Sequence, residues 1–193
     1  MSVSLNKGQS VSLVKSGVGT LSGVRMGCGW DAIAKKGMFG KSREVSVDLD
    51  ASVVLLDADK RLMDQVWFQQ LKSKDGSVRH TGDNTTGKGD GDDESILVDL
   101  TAVPANVHHL VFVVNSFSGQ DFGQIENAFC RLVDTTQGDA ELARYDISGS
   151  GNHTAVVMAR VTRDGDGWSM TAIGAPGAGR TFRDIMPLVN ASI

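Results

Sequence analysis

The sequence predicts an all-β protein, an antiparallel sandwich with long loops and one short C-terminal helix. Two observations carry this. Ten apolar or alternating runs of strand length are separated by turn signals. Glycine is abundant at 23 residues while proline is only 3, which favours tight turns with positive φ over rigid linkers.

The runs are Gln9–Val14, Ser22–Met26, Glu44–Leu56, Val66–Leu71, Ser95–Leu100, Leu110–Phe117, Asn127–Asp134, Ala140–Ile147, Thr154–Thr162 and Trp168–Ile173. Asp164-Gly165-Asp166-Gly167 between the last two is a hairpin signal, and the last three runs are expected to form a meander. Ala34 to Ser42 reads as an exposed loop, and Asp121 to Ala128 is compatible with either a strand approach or a helical turn. The helix is expected over Thr181–Val189, where Phe182, Ile185, Met186 and Val189 fall at i, i+3, i+4 and i+7. Thr181 is its expected N-cap, with Asp184 three residues on, and its apolar face should pack on the sandwich.

Hydrophobic residues at 40% and charged residues at 22% describe an ordinary folding chain. One domain over 1–193 is expected. The N-terminus has no apolar leader and the longest strongly apolar run is Leu110 to Val114, so the expectation is a soluble, cytoplasmic protein. A pI near 5.5 with no basic stripe argues against nucleic acid. Cys28 and Cys130 sit in apolar patterns without a Cys-x-x-Cys spacing and read as buried small hydrophobes.

The charge is localised. Asp83, Asp90, Asp92, Asp93 and Glu94, set against Lys88, place −4 in the loop Gly82 to Glu94, the same as the net charge of the whole chain. Five carboxylates and the Asn84 amide oxygen are hard ligands, and interspersed glycines let the backbone curl around one point, so the donor set suits calcium. Zinc and other transition metals would call for His or Cys, which the loop lacks. The loop is no EF-hand: Lys88 and Gly87 stand where that motif needs glycine and a ligand. Gly82 to Lys88 also matches GxxxxGK, but Gly89 follows and the carboxylates would repel phosphate. Gly174 to Thr181 is a second near-match with Arg180 in place of Lys, and reads as a glycine-rich turn. Asp48 and Asp50 project from one face of a strand, and Asp31 follows Gly29-Trp30.

The motifs Val3-Ser-Leu5-Asn-Lys7-Gly8, Gly27-Cys-Gly29-Trp30-Asp31, Asp48-Leu-Asp50-Ala51-Ser52 and Gly82-Asp83-Asn84 through Glu94 together resemble the TerD family of bacterial tellurium-resistance and stress-response proteins. Val103-Pro104-Ala105, Asn127-Ala128-Phe129 and Ala143-Arg144-Tyr145 also match, and the Lys35 to Gly40 insert is most like the TerZ branch. The resemblance implies a β-sandwich holding two calcium ions on Asp31, Asp48, Asp50, Asp83, Asn84, Asp90, Asp92, Asp93 and Glu94. It implies no enzymatic reaction, and partners among the other Ter proteins at the inner membrane surface. Two rival classes stand beside it: a metal-dependent hydrolase using His80, His108, His109 or His153 as base, and thiol chemistry on tellurite by Cys28 or Cys130.

Overall fold

The computed structural model describes residues 3–4, 10–12, 22–36, 42–87, 91–148 and 151–193. In chain order the strands are β1 (Val3–Ser4), β2 (Ser10–Ser12), β3 (Gly23–Gly29), β4 (Ile33–Lys36), β5 (Ser42–Val45), β6 (Leu49–Leu56) and β7 (Leu62–Val66). They continue with β8 (Val78–His80), β9 (Glu94–Asp99), β10 (His109–Ser116), β11 (Phe129–Asp134), β12 (Ala140–Asp146), β13 (Ala155–Asp164) and β14 (Gly167–Gly177). A 3-10 turn at Phe182–Ile185 runs into helix α1 (Met186–Ala191).

Two six-stranded sheets face each other, in the orders β1-β12-β11-β3-β9-β8 and β2-β14-β13-β10-β6-β7. Neighbours pair antiparallel except β1, which runs parallel to β12 at an edge. Alternation along each strand divides the apolar residues into two cores. Leu49, Ala51, Val53 and Leu55 of β6 point between the sheets, with Met26, Ile96, Phe112 and Met158 among their neighbours in the main core. Val54 and Leu56 point the other way and join Val111, Val113, Trp67, Phe182, Ile185 and Val189 in a second core. The C-terminal helix thus packs on the sandwich, as its periodicity predicts. Asp184 Oδ2 accepts the Thr181 N–H at 2.9 Å and the Arg180 N–H at 2.8 Å, tying down the entry to the helix.

Several local expectations change. β13 and β14 form the hairpin through Asp164↔Gly167, but β12 lies in the opposite sheet, so the last three runs are not a meander. Local alternation identifies strands and is silent on which sheet each joins. The ends of the stretch read as an exposed loop pair as a two-stranded ribbon, β4 with β5, while 37–41 lie outside the described residues. Phe122–Gln124 form a 3-10 turn. The expected run Val66–Leu71 is a strand end followed by a tight turn in which Trp67 and Gln70 exchange backbone hydrogen bonds of 3.1 and 2.9 Å.

Candidate metal centre

The carboxylates collect where the two sheets meet at one end of the sandwich. Asp48 and Asp50 stand at the start of β6, two residues apart and therefore on one side of the strand. Asp83 approaches from the loop between β8 and β9. One oxygen from each lies within 4.8 Å of the other two. A calcium shell with ligand distances of about 2.3–2.6 Å spaces its oxygens by at most roughly twice that radius, so the trio fits one ion. Asp50 is only 4% exposed, and its Oδ2, like Oδ1 of Asp48, is buried without a hydrogen-bond partner. Burial, followed by the charges of Glu94, Asp48 and Asp83, pushes the Asp50 carboxyl up to about 8. Burial and Asp83 push Asp48 in the same direction. Such a group awaits either a proton or a cation.

Glu94, the first residue of β9, is the strut between the two walls. Its Oε2 accepts the Ala51 N–H at 2.7 Å, and its Oε1 accepts the Asn84 N–H at 3.1 Å. It therefore fixes the backbone beside Asp50 and the backbone beside Asp83 with one carboxylate. His80 packs beside the strut. Gly82 N–H donates to its Nδ1 at 3.1 Å, and its Nε2 lies 3.3 Å from Glu94 Oε2 without a hydrogen bond. His80 is 3% exposed. No local pattern foretells this proximity, because the three-residue strand β8 that carries His80 is too short to register as alternation.

The rest of the loop is held by other means. Asn84 Oδ1 accepts from Thr86 N–H, Thr86 Oγ1 and Gly87 N–H at 3.1–3.2 Å, so this amide oxygen curls its own loop. Its Nδ2 donates to Asp93 Oδ1 at 2.8 Å, and Asp93 Oδ2 accepts the Trp30 N–H at 2.9 Å. Burial raises the Asp93 carboxyl, and the nearby charges of Asp31 and Glu94 push it the same way. Asp31 is exposed, with Asn127 Nδ2 on its Oδ2. Asp92 stands apart from all of these: Arg131 grips it through Nε at 2.7 Å and Nη2 at 3.1 Å, and Arg25 Nη1 contacts it as well. Asp90 lies outside the described residues. Eight of the nine candidate ligands thus divide into the trio with its Glu94 strut, the Asp31–Asp93 side with Asn84 linking Asp93 to Glu94, and the arginine-clamped Asp92.

Glycines on β3 let the loop lie this close. A Cβ at Gly29 would sit 2.2 Å from the Gly91 carbonyl oxygen, and one at Gly27 would collide with the Asp92 carboxylate. Trp30 at the strand end covers the other side, its Nε1 donating to Val47 O at 2.9 Å. Of the histidines considered as bases, His80 is buried beside Glu94. His109 pairs with Leu56, at the far end of β6 from Asp50, and the His153 ring packs edge-on against Phe122.

Comparison with known proteins agrees with this architecture. A family model described as TerD domain matches residues 1–186. Tellurium resistance protein TerZ of Serratia marcescens is 48% identical over 185 residues, covering 95% of this chain and 94% of that one. Tellurium resistance protein TerD of an Alcaligenes species is 42% identical, covering 93% of each. Stress response protein SCP2 of Bacillus subtilis is 40% identical, covering 90% and 92%. The crystal structure of a homologue of telluride resistance protein (TerD) from Streptomyces coelicolor superposes with a TM-score of 0.74 at 18% identity, covering 88% of this chain and 98% of that one, a likeness of fold.

Proposed function

Because the chain belongs to the TerD family of tellurium-resistance and stress-response proteins, we propose that it is a non-enzymatic calcium-binding protein whose ion-ordered loops present a surface to a protein partner. The observation that carries this reading is the Asp48–Asp50–Asp83 trio with its buried, partnerless oxygens. The donors are all hard oxygens, which favours calcium over zinc or copper. The ion would supply the positive charge that the carboxylates lack. Asp48, Asp50 and Asp83 would hold it, Glu94 would keep their two walls in register, and the Asp31–Asp93 side would hold a second ion.

Calcium would then draw the loop after β8 against the start of β6, two segments that Glu94 already bridges through the Asn84 and Ala51 N–H groups. The whole chain would act as one domain in the cytoplasm, with partners among other Ter proteins at the inner membrane surface. No helix among the described residues is long and apolar enough to cross a membrane.

Calorimetric titration of chelator-treated protein tests this. The expected stoichiometry is two calcium ions per chain, with Asp50→Asn losing one of them and magnesium binding much more weakly. No calcium heat with the wild-type chain would refute the reading, and a stoichiometry of one would refute its two-site form.

A further inference from the structure

The two cysteines are far apart in sequence but face each other directly, Cys130 opposite Cys28, in the β3–β11 ladder. The direction of the surrounding backbone groups fixes the kind of pair. On β3 the even-numbered residues turn their polar groups toward β9: Ser22 O accepts Leu100 N–H, Cys28 O accepts Asp93 N–H, and Trp30 N–H reaches Asp93. The odd-numbered ones turn toward β11, with Gly23 O accepting Thr135 N–H and Asp31 N–H donating to Glu126 O. β11 mirrors this. Thr135 faces β3, whereas Ala128 O faces the β12 side, accepting from Ile147 and Ser148 N–H. Cys28 and Cys130 therefore form a non-hydrogen-bonded antiparallel pair.

In such a pair the Cα atoms lie about 4.5 Å apart, inside the range of roughly 4.4–6.8 Å that a disulfide spans. Facing Cβ atoms at about 4.5–5.5 Å need close by only about 1 Å to reach bridging distance. Both side chains are buried in the main core, 0% and 1% exposed, so they share one face of the sheet. Cys130 Sγ now leans toward Tyr145 O at 3.5 Å, a weak bond that a χ1 rotation would exchange for Cys28.

We infer that Cys28 and Cys130 are a dithiol that peroxide closes into a cross-strand disulfide between β3 and β11. A cavity of about 20 Å³ lined by Cys130, Met26, Phe112, Leu132, Met158 and Met170 has room for one small molecule beside Cys130. Hydrogen peroxide is the oxidant. Cys130 Sγ, giving up its proton, attacks one peroxide oxygen, the O–O bond breaks, and the departing hydroxide takes up that proton as water. Cys28 Sγ then attacks the resulting sulfenic sulfur. The S–S bond forms, the S–O bond breaks, and the Cys28 proton leaves with the hydroxyl as a second water. Two thiols are oxidised by two electrons and one peroxide is reduced. Burial pushes both thiols well up from their ordinary range, and Cys130 raises Cys28 further, so little thiolate is present and excess peroxide is needed to close the pair.

The test treats the folded, chelator-free chain with excess hydrogen peroxide, alkylates in denaturant and measures intact mass and linked peptides. Alkylatable thiols should fall from two to none, with two hydrogens lost and a peptide joining Cys28 to Cys130 within the monomer. Cys28→Ala should instead leave Cys130 as a sulfenic acid that dimedone captures. Two alkylatable thiols after treatment, added oxygen without a bridge, bridging only between chains, or bridging only in denaturant would each overturn the inference. Circular dichroism of Cys28→Ala checks that it folds, and the wild-type arm decides the matter whether or not it does.

Discussion

At its C-terminal end β6 carries Val54 and Leu56 beneath Phe182, Ile185 and Val189, and at its N-terminal end it carries Asp50 beneath the loop that holds Asp83. Both ends lie under a segment folded back over the sheets, yet they are completed differently. The apolar end needs nothing further, because burial has no directional requirement and every methyl removed from water contributes. The acidic end keeps like charges within 4.8 Å and leaves oxygens of Asp48 and Asp50 with no donor. Stability at one end is intrinsic to the chain, and at the other it is conditional on a proton or a cation.

The sharpest way to break this contrast is to cut each end separately. Phe182→Ala removes a ring that is 1% exposed and packs edge-on against Trp67 at 5.3 Å between centroids. It should cost about 3–5 kcal/mol in chemical denaturation, while the stabilisation gained on adding calcium stays the same. A lost calcium response would mean the two ends are coupled.

The pH dependence comes next. Asp50 titrates near 3.8 when unfolded and at about 8 when folded without an ion, so between those values the folded chain holds a proton that the unfolded chain has released. Asp50 therefore contributes stability that is full below about pH 4 and is lost as pH rises toward 8, at up to about 1.4 kcal/mol per unit. Asp48 and Asp93 shift in the same direction, while Asp64, Asp99 and Asp184 are lowered and oppose them. The difference between wild type and Asp50→Asn isolates the one group. In chelator at pH 7.5 the variant should be the more stable of the two, and the advantage should vanish at pH 4.

The same variant sharpens the contrast in the opposite sense once calcium is added. A ligand at a hundredfold excess over Kd stabilises the wild type by about 2.7 kcal/mol, most of which Asp50→Asn should lose. Equal calcium-induced rises in Tm for the two proteins would remove Asp50 from the site. The smallest expected effect is Asp184→Ala, which takes the acceptor from the Thr181 and Arg180 N–H groups and should cost about 1 kcal/mol with no change in calcium response.

Periodicity and donor chemistry made much of this legible beforehand. The hairpin at Asp164–Gly167, the helix with Thr181 and Asp184 at its entry, the burial of both cysteines and the hard-oxygen character of the loop all depend on residues near one another in sequence. Misplaced elements had short or ambiguous local signals: β8 has three residues, and β12 alternates like its neighbours while joining the other sheet.

By itself, then, the sequence determined that strands dominate, where their apolar faces lie, and that the carboxylates form an oxygen-rich set, because alternation and ligand type are local properties. Only the tertiary structure decided which side chains meet. It brought Asp83 to Asp48 and Asp50, gave Asp92 to Arg25 and Arg131, set Glu94 against His80, and placed Cys28 opposite Cys130. The physical reason is that strand register and sheet order are fixed by long-range pairing and by packing across the core, and no short-range periodicity encodes either.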